Sequence, residues 1–249
     1  EQKLNVVPKI IVKINKLDIL RNNPQTSADS FSQTGAVFVQ KSQLGGGSPM
    51  IRGFATNRVL LVVDGVRMNN AIYRSGNLQN VISIDALSTE TAEVIFGPGS
   101  LIYGSDAIGG VMDFHTLDAR FSKDKKMQVR GSVLSRYSTA NKENTIHADI
   151  NLGWKKWSVL SSFSYSKFDD LKMGENGGQD NYLRPEYVEI VNNTDNIVQN
   201  SDPRIQRFSG YNQTNFLQKI RFKPNENWDL QYSFTYAKTG DAPRYDRLI

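Results

Sequence analysis

The stretch SPMIRGFATNRVLLVVDGVRMNN, residues 48–70, and the stretch EVIFGPGSLIYGSDAIGGVMDFHT, residues 93–116, decide how this chain is read. Their apolar runs are short and punctuated by Gly, Pro and Asn, at 59–63, 92–96 and 110–114, with similar runs upstream at 10–14 and 37–39. Runs of that length bounded by turn residues predict strands of a small mixed domain, with one helix expected over 27–33. Gly53, Gly65, Gly97, Gly104, Gly109 and Gly110 are expected to be structural, because Gly permits positive φ and close approach of backbones. Two Gly-rich pieces, at 45–48 and 97–105, resemble phosphate loops, but neither ends in the Gly-Lys-Ser/Thr that supplies the phosphate lysine. Ser100 and Ser105 stand in no Gly-x-Ser-x-Gly elbow, and the chain has only two His, so neither nucleotide binding nor hydrolysis is expected.

Beyond residue 120 the pattern changes to long period-2 alternation. Ile146, Ala148, Ile150, Leu152 and Trp154 share one face of a strand, and His147, Asp149, Asn151 and Gly153 share the other. Similar alternation predicts five strands, at 127–138, 145–154, 157–168, 214–223 and 228–238. Each has the length a tilted strand needs to cross a bilayer, about 9–11 residues, whereas strands of soluble domains are usually about 5–6. The connections at 155–156 and 224–227 are short and polar, while 169–213 is a long polar excursion. Short turns on one side and long loops on the other are the asymmetry of outer-membrane barrels. Trp154, Trp157 and Trp228 fall beside the short turns, where an aromatic girdle is expected.

Composition is compatible with this reading. The 249 residues are 39% hydrophobic, enough for a sizeable core, and the absence of Cys excludes disulfides and thiolate metal sites. No apolar window is long enough for a transmembrane helix and no signal peptide opens the chain, which leaves a soluble protein or a β-barrel. The net charge of +5 is dispersed; Lys9, Lys13 and Lys16 read as a solvated strand face, and no nucleic-acid partner is expected.

The ordered elements Ile51-Arg52-Gly53, Asp64-Gly65-Val66 after an apolar strand, Glu93-Val94 before Gly97-Pro98, Tyr103-Gly104-Ser105 and Gly109-Gly110-Val111 resemble the plug domain of a TonB-dependent outer-membrane receptor. One departure is Phe96, where the family usually carries Arg. The resemblance implies an α+β plug domain over 1–120 followed by antiparallel transmembrane β-barrel strands over 121–249, a partial barrel. About 22 strands enclose such a plug, so the sequence reads as stopping at Ile249 in a third extracellular loop.

By this resemblance the solute lies against apical plug loops around 43–50 and 67–77. Gln43, Arg67, Asn69, Asn70, Tyr73, Arg74 and Asn77 are the expected substrate-binding residues, cations and amides for acidic or carbonyl oxygens plus one aromatic. Arg184, Tyr187 and Arg204 of the long loop are more remote candidates. Arg52, Arg58 and Glu93 are expected to anchor plug to barrel through buried charge pairs. His115 and His147 are expected to be ordinary polar residues, Asp169, Asp170 and Asp202 solvated loop carboxylates, and no resident cofactor or metal is expected. The implied activity is energised import of a scarce large solute such as a ferric siderophore, haem or cobalamin across the outer membrane of a Gram-negative bacterium. The implied partners are the TonB energy-transducing complex, outer-membrane lipid, the small-molecule or chelate solute and a surface lipoprotein. The other class left open is an outer-membrane binding or assembly protein that docks a partner or glycan without transport. Neither is an enzyme. An energy-coupling box is not evident at Leu4–Val7.

Overall fold

The computed structural model describes residues 10–41, 44–55, 58–68, 81–97, 103–104, 107–124, 126–176 and 183–242. The first part comprises β1 (Ile11–Asn15), α1 (Lys16–Asn22), α2 (Ser27–Ser32), β2 (Phe38–Gln40), β3 (Ser48–Ile51), β4 (Phe54–Ala55), β5 (Val59–Val63), β6 (Val66–Arg67), β7 (Thr89–Phe96) and β8 (Gly110–Thr116). Its main sheet has the order β1-β7-β8-β5-β6, with β5 and β8 parallel and the other pairs antiparallel. One face carries Val59, Leu61, Val94, Met112 and Phe114 beneath Ile19 and Phe31 of the helices, and the other carries Leu60, Val62, Ile95 and Val111 against Ala107 and Tyr103. A strand covered on both faces needs a continuous apolar run, which is why β5 reads VLLVV. Phe31 meets Phe114 edge to face, with ring centroids 5.3 Å apart.

Asp64 (φ 48°) and Gly65 (φ 82°) form the two-residue turn between β5 and β6, with Val63 opposite Val66. Asp-Gly suits a hairpin turn in which both central residues take positive φ. Gly109 serves a different need: a Cβ there would lie 2.3 Å from Cβ of Phe54, so its role is close approach. The helix at Ser27–Ser32 matches the sequence expectation, while α1 was not anticipated. Lys16 opens that helix, Asp18 accepts a hydrogen bond from the Asn15 N–H at 3.1 Å, and Asn23 ends it at φ 47°. Lys13 is exposed on β1, as a solvated strand face requires, and pairs with Glu93 at 3.0 Å, whereas Lys16 is half-buried at the start of α1, 4.0 Å from Asp149. Lys9 lies outside the described residues.

The second part is a five-stranded antiparallel wall of β9 (Gln128–Ser138), β10 (Glu143–Gly153), β11 (Trp157–Phe168), β16 (Tyr211–Asn225) and β17 (Trp228–Thr239), in the order β17-β16-β11-β10-β9. The five strands stand where the alternation put them, with β10 and β16 starting a little earlier. Between β11 and β16 the polar excursion is not structureless. It folds into β12 (Leu171–Lys172) paired with β15 (Ile205–Gln206), and a hairpin of β13 (Glu186–Val191) and β14 (Thr194–Gln199). Val133, Ile146, Ile150, Phe163, Leu230 and Tyr232 are exposed on one wall face, while His147, Ser158, Ser162, Ser164 and Lys219 are buried on the other against the first part. Trp154, Trp157 and Trp228 are exposed at the short-turn end, and Trp157 stacks on Phe222 at 4.1 Å.

Phe114→Ala should lower the unfolding free energy of the first part by about 3–5 kcal/mol, as for a large aromatic removed from a closed core. Ile108→Ala, at an exposed position, should stay within about 0.5 kcal/mol. Urea titration of the purified full-length protein, followed by near-UV circular dichroism, checks both.

Candidate functional site

The two parts meet along a largely polar seam that runs from the long-loop end of the wall to the short-turn end, with one apolar cluster of Leu117 and Ala119 on Leu160 and Leu217. At the top, the Arg136 guanidinium donates to Asn23 Oδ1 and the Pro24 carbonyl, both at 2.9 Å, and to Glu143 Oε1 from Nε at 2.6 Å. Asn23 presents that acceptor because its left-handed backbone ends α1, a conformation Asn tolerates. Beside it the Tyr211 ring lies on Gly45, where a Cβ would come within 3.0 Å of the ring, and stacks on Phe168 at 4.6 Å.

Lower down, Asp85 gathers three wall and plug groups. Its Oδ2 accepts from Ser88 and Ser164, each at 2.5 Å, and lies 4.0 Å from His147 Nδ1. His147 is 2% exposed and also contacts Ser164 Oγ (2.7 Å) and Asp149 Oδ2 (3.3 Å). Asn215 donates to the Ser83 carbonyl at 2.9 Å, and Ser88 meets Ser162 at 2.9 Å. Then comes Lys219, 1% exposed, whose Nζ sits 3.0 Å from Asp64 Oδ2 and 3.4 Å from the Thr116 carbonyl. Asp64 in turn accepts from Thr116 N (2.9 Å) and Thr116 Oγ1 (2.6 Å). At the bottom, Arg120 exchanges hydrogen bonds with the Asn151 side chain, 2.9 Å each way, and its carbonyl accepts from Ser158 Oγ at 2.9 Å.

The three expected anchors behave differently. Glu93 pairs with Lys13 inside the plug sheet rather than with the wall. Arg52 is exposed and places its guanidinium 5.1 Å from the ring centroid of Phe96, so the residue that departs from the family pattern is met by a cation-π contact. Arg58 is exposed. Asp64, Asp85, Lys219 and Arg136, which sequence reasoning did not select, carry the contacts instead. Their available signal was register: a charged residue such as Lys219, on the lumenal face at mid-strand, has to find a partner on whatever fills the lumen.

Of the expected substrate residues, Arg67 is exposed on β6, its Nη1 beside Gly104, where a Cβ would be 3.1 Å away. Gln43, Asn69, Asn70, Tyr73, Arg74 and Asn77 lie outside the described residues. The remote candidates serve the long loop's own frame. Arg204 bridges Glu175 (2.8 Å) and Asp202 (3.3 Å), and Tyr187 packs edge-on against Phe208. Asp170 accepts from Ser209 N and Gly210 N, so it and Asp202 brace this loop rather than being merely solvated. Bonding to Lys172, and to Arg204 after it, holds the Asp202 carboxyl down at about 2, so the brace stays ionised until pH falls to that value.

A family model for the TonB-dependent Receptor Plug Domain matches residues 3–111. The chain belongs to the TonB-dependent receptors. It is 36% identical over 186 residues to the vitamin B12 transporter BtuB of Vibrio vulnificus (strain CMCP6), covering 71% of this chain and 28% of that protein. It is 31% identical over 102 residues to a hemin receptor of Yersinia enterocolitica, covering 41% of this chain and 13% of the relative. Among solved structures, the copper transporter OprC superposes with a TM-score of 0.66 at 15% identity over 94% of this chain and 32% of that one. The FrpB iron transporter from Neisseria meningitidis (F3-3 variant) gives 0.65 at 17% identity, over 92% and 31%. The chain thus spans about a third or less of the proteins it matches. As a TonB-dependent receptor it is a protein of the Gram-negative outer membrane, a plug against antiparallel barrel strands.

Two tests follow from the seam. Lys219→Met strands the Asp64 carboxylate at a buried interface and should destabilise plug docking by about 3–5 kcal/mol, with much of the loss recovered in Asp64→Asn/Lys219→Met; limited proteolysis of the plug in detergent reads both. Within the plug sheet, burial pushes the Asp113 carboxyl up, His115 pulls it down, and Glu93 and Asp64 push it further up. A raised carboxyl stabilises the fold below its unfolded value and loses that contribution as pH rises. Wild-type stability should therefore fall more than that of Asp113→Asn as pH rises above about 4, by denaturant titration at each pH.

Proposed function

We propose that this chain is part of an energised importer that carries a scarce, large solute, cobalamin, haem or a ferric siderophore, across the outer membrane. The observation that carries this reading is the chemistry of the seam. Asp64, Asp85, Ser88, Ser162, Ser164, His147 and Lys219 join plug to wall through ion pairs and hydroxyl hydrogen bonds. A largely polar seam can be opened and rehydrated at little apolar cost, here the small cluster of Leu117 and Ala119 on Leu160 and Leu217, since water replaces each bond that is lost. An apolar seam suits a permanent stopper, and a polar one suits a plug that is remodelled in each transport cycle. Relatives named as a vitamin B12 transporter and hemin receptors, and the solved structures of a siderophore receptor and an iron transporter, support the solute class.

On this reading residues 1–120 act as the plug, residues 121–249 open a barrel of about 22 strands, and the TonB complex drives the cycle. Arg67, Asn69, Asn70, Tyr73, Arg74, Asn77 and Gln43 line the solute site. The second reading, a docking receptor without transport, is favoured by the β13–β14 hairpin. That hairpin is clamped at its root by Asn200 to the carbonyls of Pro185, Arg184 and Ile205, and leaves Ile190 and Ile197 68% and 74% exposed.

Uptake of labelled cyanocobalamin, haemin and ferric siderophores by cells carrying the full-length receptor decides between them. Transport predicts accumulation of one solute that a proton uncoupler abolishes; docking predicts surface binding indifferent to the uncoupler. Arg74→Ala should weaken binding of the transported solute roughly 10- to 100-fold, the loss of one charge-assisted hydrogen bond.

A further inference from the structure

The plug loop 41–47 joins β2 to β3, whose Gln40 and Ser48 stand opposite each other. It reads KSQLGGG, so its second half has no side chains with which to hold itself, and glycine loses more conformational freedom on ordering than any other residue. Gly45, Gly46 and Gly47 are nevertheless buried. One foot of the loop is tied inside the plug, where Lys41 pairs with Asp29 of α2. The cover over Gly45 comes from the wall, as the ring of Tyr211.

Gly45 is not a glycine for the sake of its backbone, because its φ is not positive. Room is what a side chain would lack: a Cβ would stand 3.0 Å from Cγ and Cδ1 of Tyr211 and 3.1 Å from Cδ2. The ring is itself held, since Tyr211 is 4% exposed and stacks on the equally buried Phe168 with centroids 4.6 Å apart and planes 22° apart. Its hydroxyl is buried beside Gln25, yet neither it nor Gln25 Nε2 completes a hydrogen bond of good geometry among the described residues. The contact therefore works through the ring and not through the hydroxyl.

Phe168 is the last residue of β11 and Tyr211 the first of β16, directly opposite, so the whole long loop 169–210 springs from this pair. The loop is braced down to it. Asp170 Oδ1 accepts from the N–H groups of Ser209 (2.8 Å) and Gly210 (3.0 Å), β12 pairs with β15, and Tyr187 of β13 meets Phe208 with centroids 5.5 Å apart. A stiff frame thus runs from the outer hairpin to a ring that lies on the plug's glycine loop.

We propose that Tyr211 is a positioning residue for solute binding: backed by Phe168, its ring sets the height of the 44–48 segment, so that the long loop and the plug's apical loop move as one body. This rests on the proposed placement of the solute at the apical loops. Being almost wholly buried, Tyr211 acts through Gly45 rather than by contact with the solute.

The test uses the full-length receptor in detergent, with nitroxide labels at Leu44→Cys and at Val133→Cys on the lipid side of the wall and any other Cys replaced. Pulsed electron spin resonance reads the distance distribution between the labels. Tyr211→Phe should keep the wild-type width, and Tyr211→Ala should broaden it about twofold as the glycine run loses its cover. Gly45→Ala should shift the distance in the wild-type background and change nothing further in Tyr211→Ala, where the clash is gone. Lys219→Met, which loosens the seam lower down, should leave the width unchanged. Equal broadening by Lys219→Met and Tyr211→Ala would mean plain loosening of the plug and overturns the proposal, as does an unbroadened Tyr211→Ala. In the unlabelled receptor, Tyr211→Ala should raise KM for whichever of cyanocobalamin, haemin and ferric siderophores the wild type carries, about tenfold at unchanged maximal rate; an unchanged KM overturns the proposal as well. Failure of the wild type to carry any of them counts against the importer reading alone, because the distances are measured without solute.

Discussion

The ion pair between Asp64 and Lys219 is the contact on which the arrangement of the two parts depends. It joins a hairpin turn of the plug to the middle of a barrel strand, and both ends are held. Asp64 is fixed by positive φ in a two-residue turn and by two bonds from Thr116, and Lys219 projects from a strand paired on both sides. The Coulomb gain of such a pair is offset by desolvation, so its main contribution is specificity. A seating that moves Asp64 away from Lys219 leaves the buried ammonium without its carboxylate, while Asp64 keeps only its two bonds from Thr116.

The rest of the seam follows the same logic. Small hydroxyls at Ser158, Ser162 and Ser164 let the plug backbone approach the wall, and each of them finds an acceptor or a second hydroxyl across the gap. Most of the apolar material is kept elsewhere, in the plug's two sheet faces and on the lipid side of the wall, and the seam holds one small cluster, Leu117 and Ala119 of the plug's exit against Leu160 and Leu217 of the wall. This separation lets one chain have a firm core and a releasable joint.

How legible this was in the sequence varied with the range of the forces involved. The wall strands were readable because lipid on one side and plug on the other impose a strict two-residue period on strands such as β11 and β17. The core strand β5 was readable because burial on both faces leaves no polar position. Helix α1 was hidden, because KLDILRN is short and follows a strand whose lysines suggested continuation. The β13–β14 hairpin was hidden by polar residues at its turn and in its loop setting. Asp64 and Lys219 are far apart in sequence, and nothing local marks them as partners; the motif drew attention to the turn geometry of Asp64 and not to its charge.

The connection after β8 has a mechanical meaning. Arg120 is laced to Asn151 and Ser158, and Ser122 N–H to the Trp154 carbonyl, while Gly153 leaves room for this segment, since a Cβ there would sit 2.4 Å from the Arg120 carbonyl. The C-terminal end of the plug is therefore stitched to the wall. At its N-terminal end β1 is an edge strand whose sheet partner is β7. A tug applied from that side meets one row of backbone hydrogen bonds, the Lys13–Glu93 pair and the core contacts of Val12 and Ile14 before it reaches the interior strands. On the transport cycle proposed above, release begins at this edge strand while the stitched C-terminal end keeps the plug tethered to the wall.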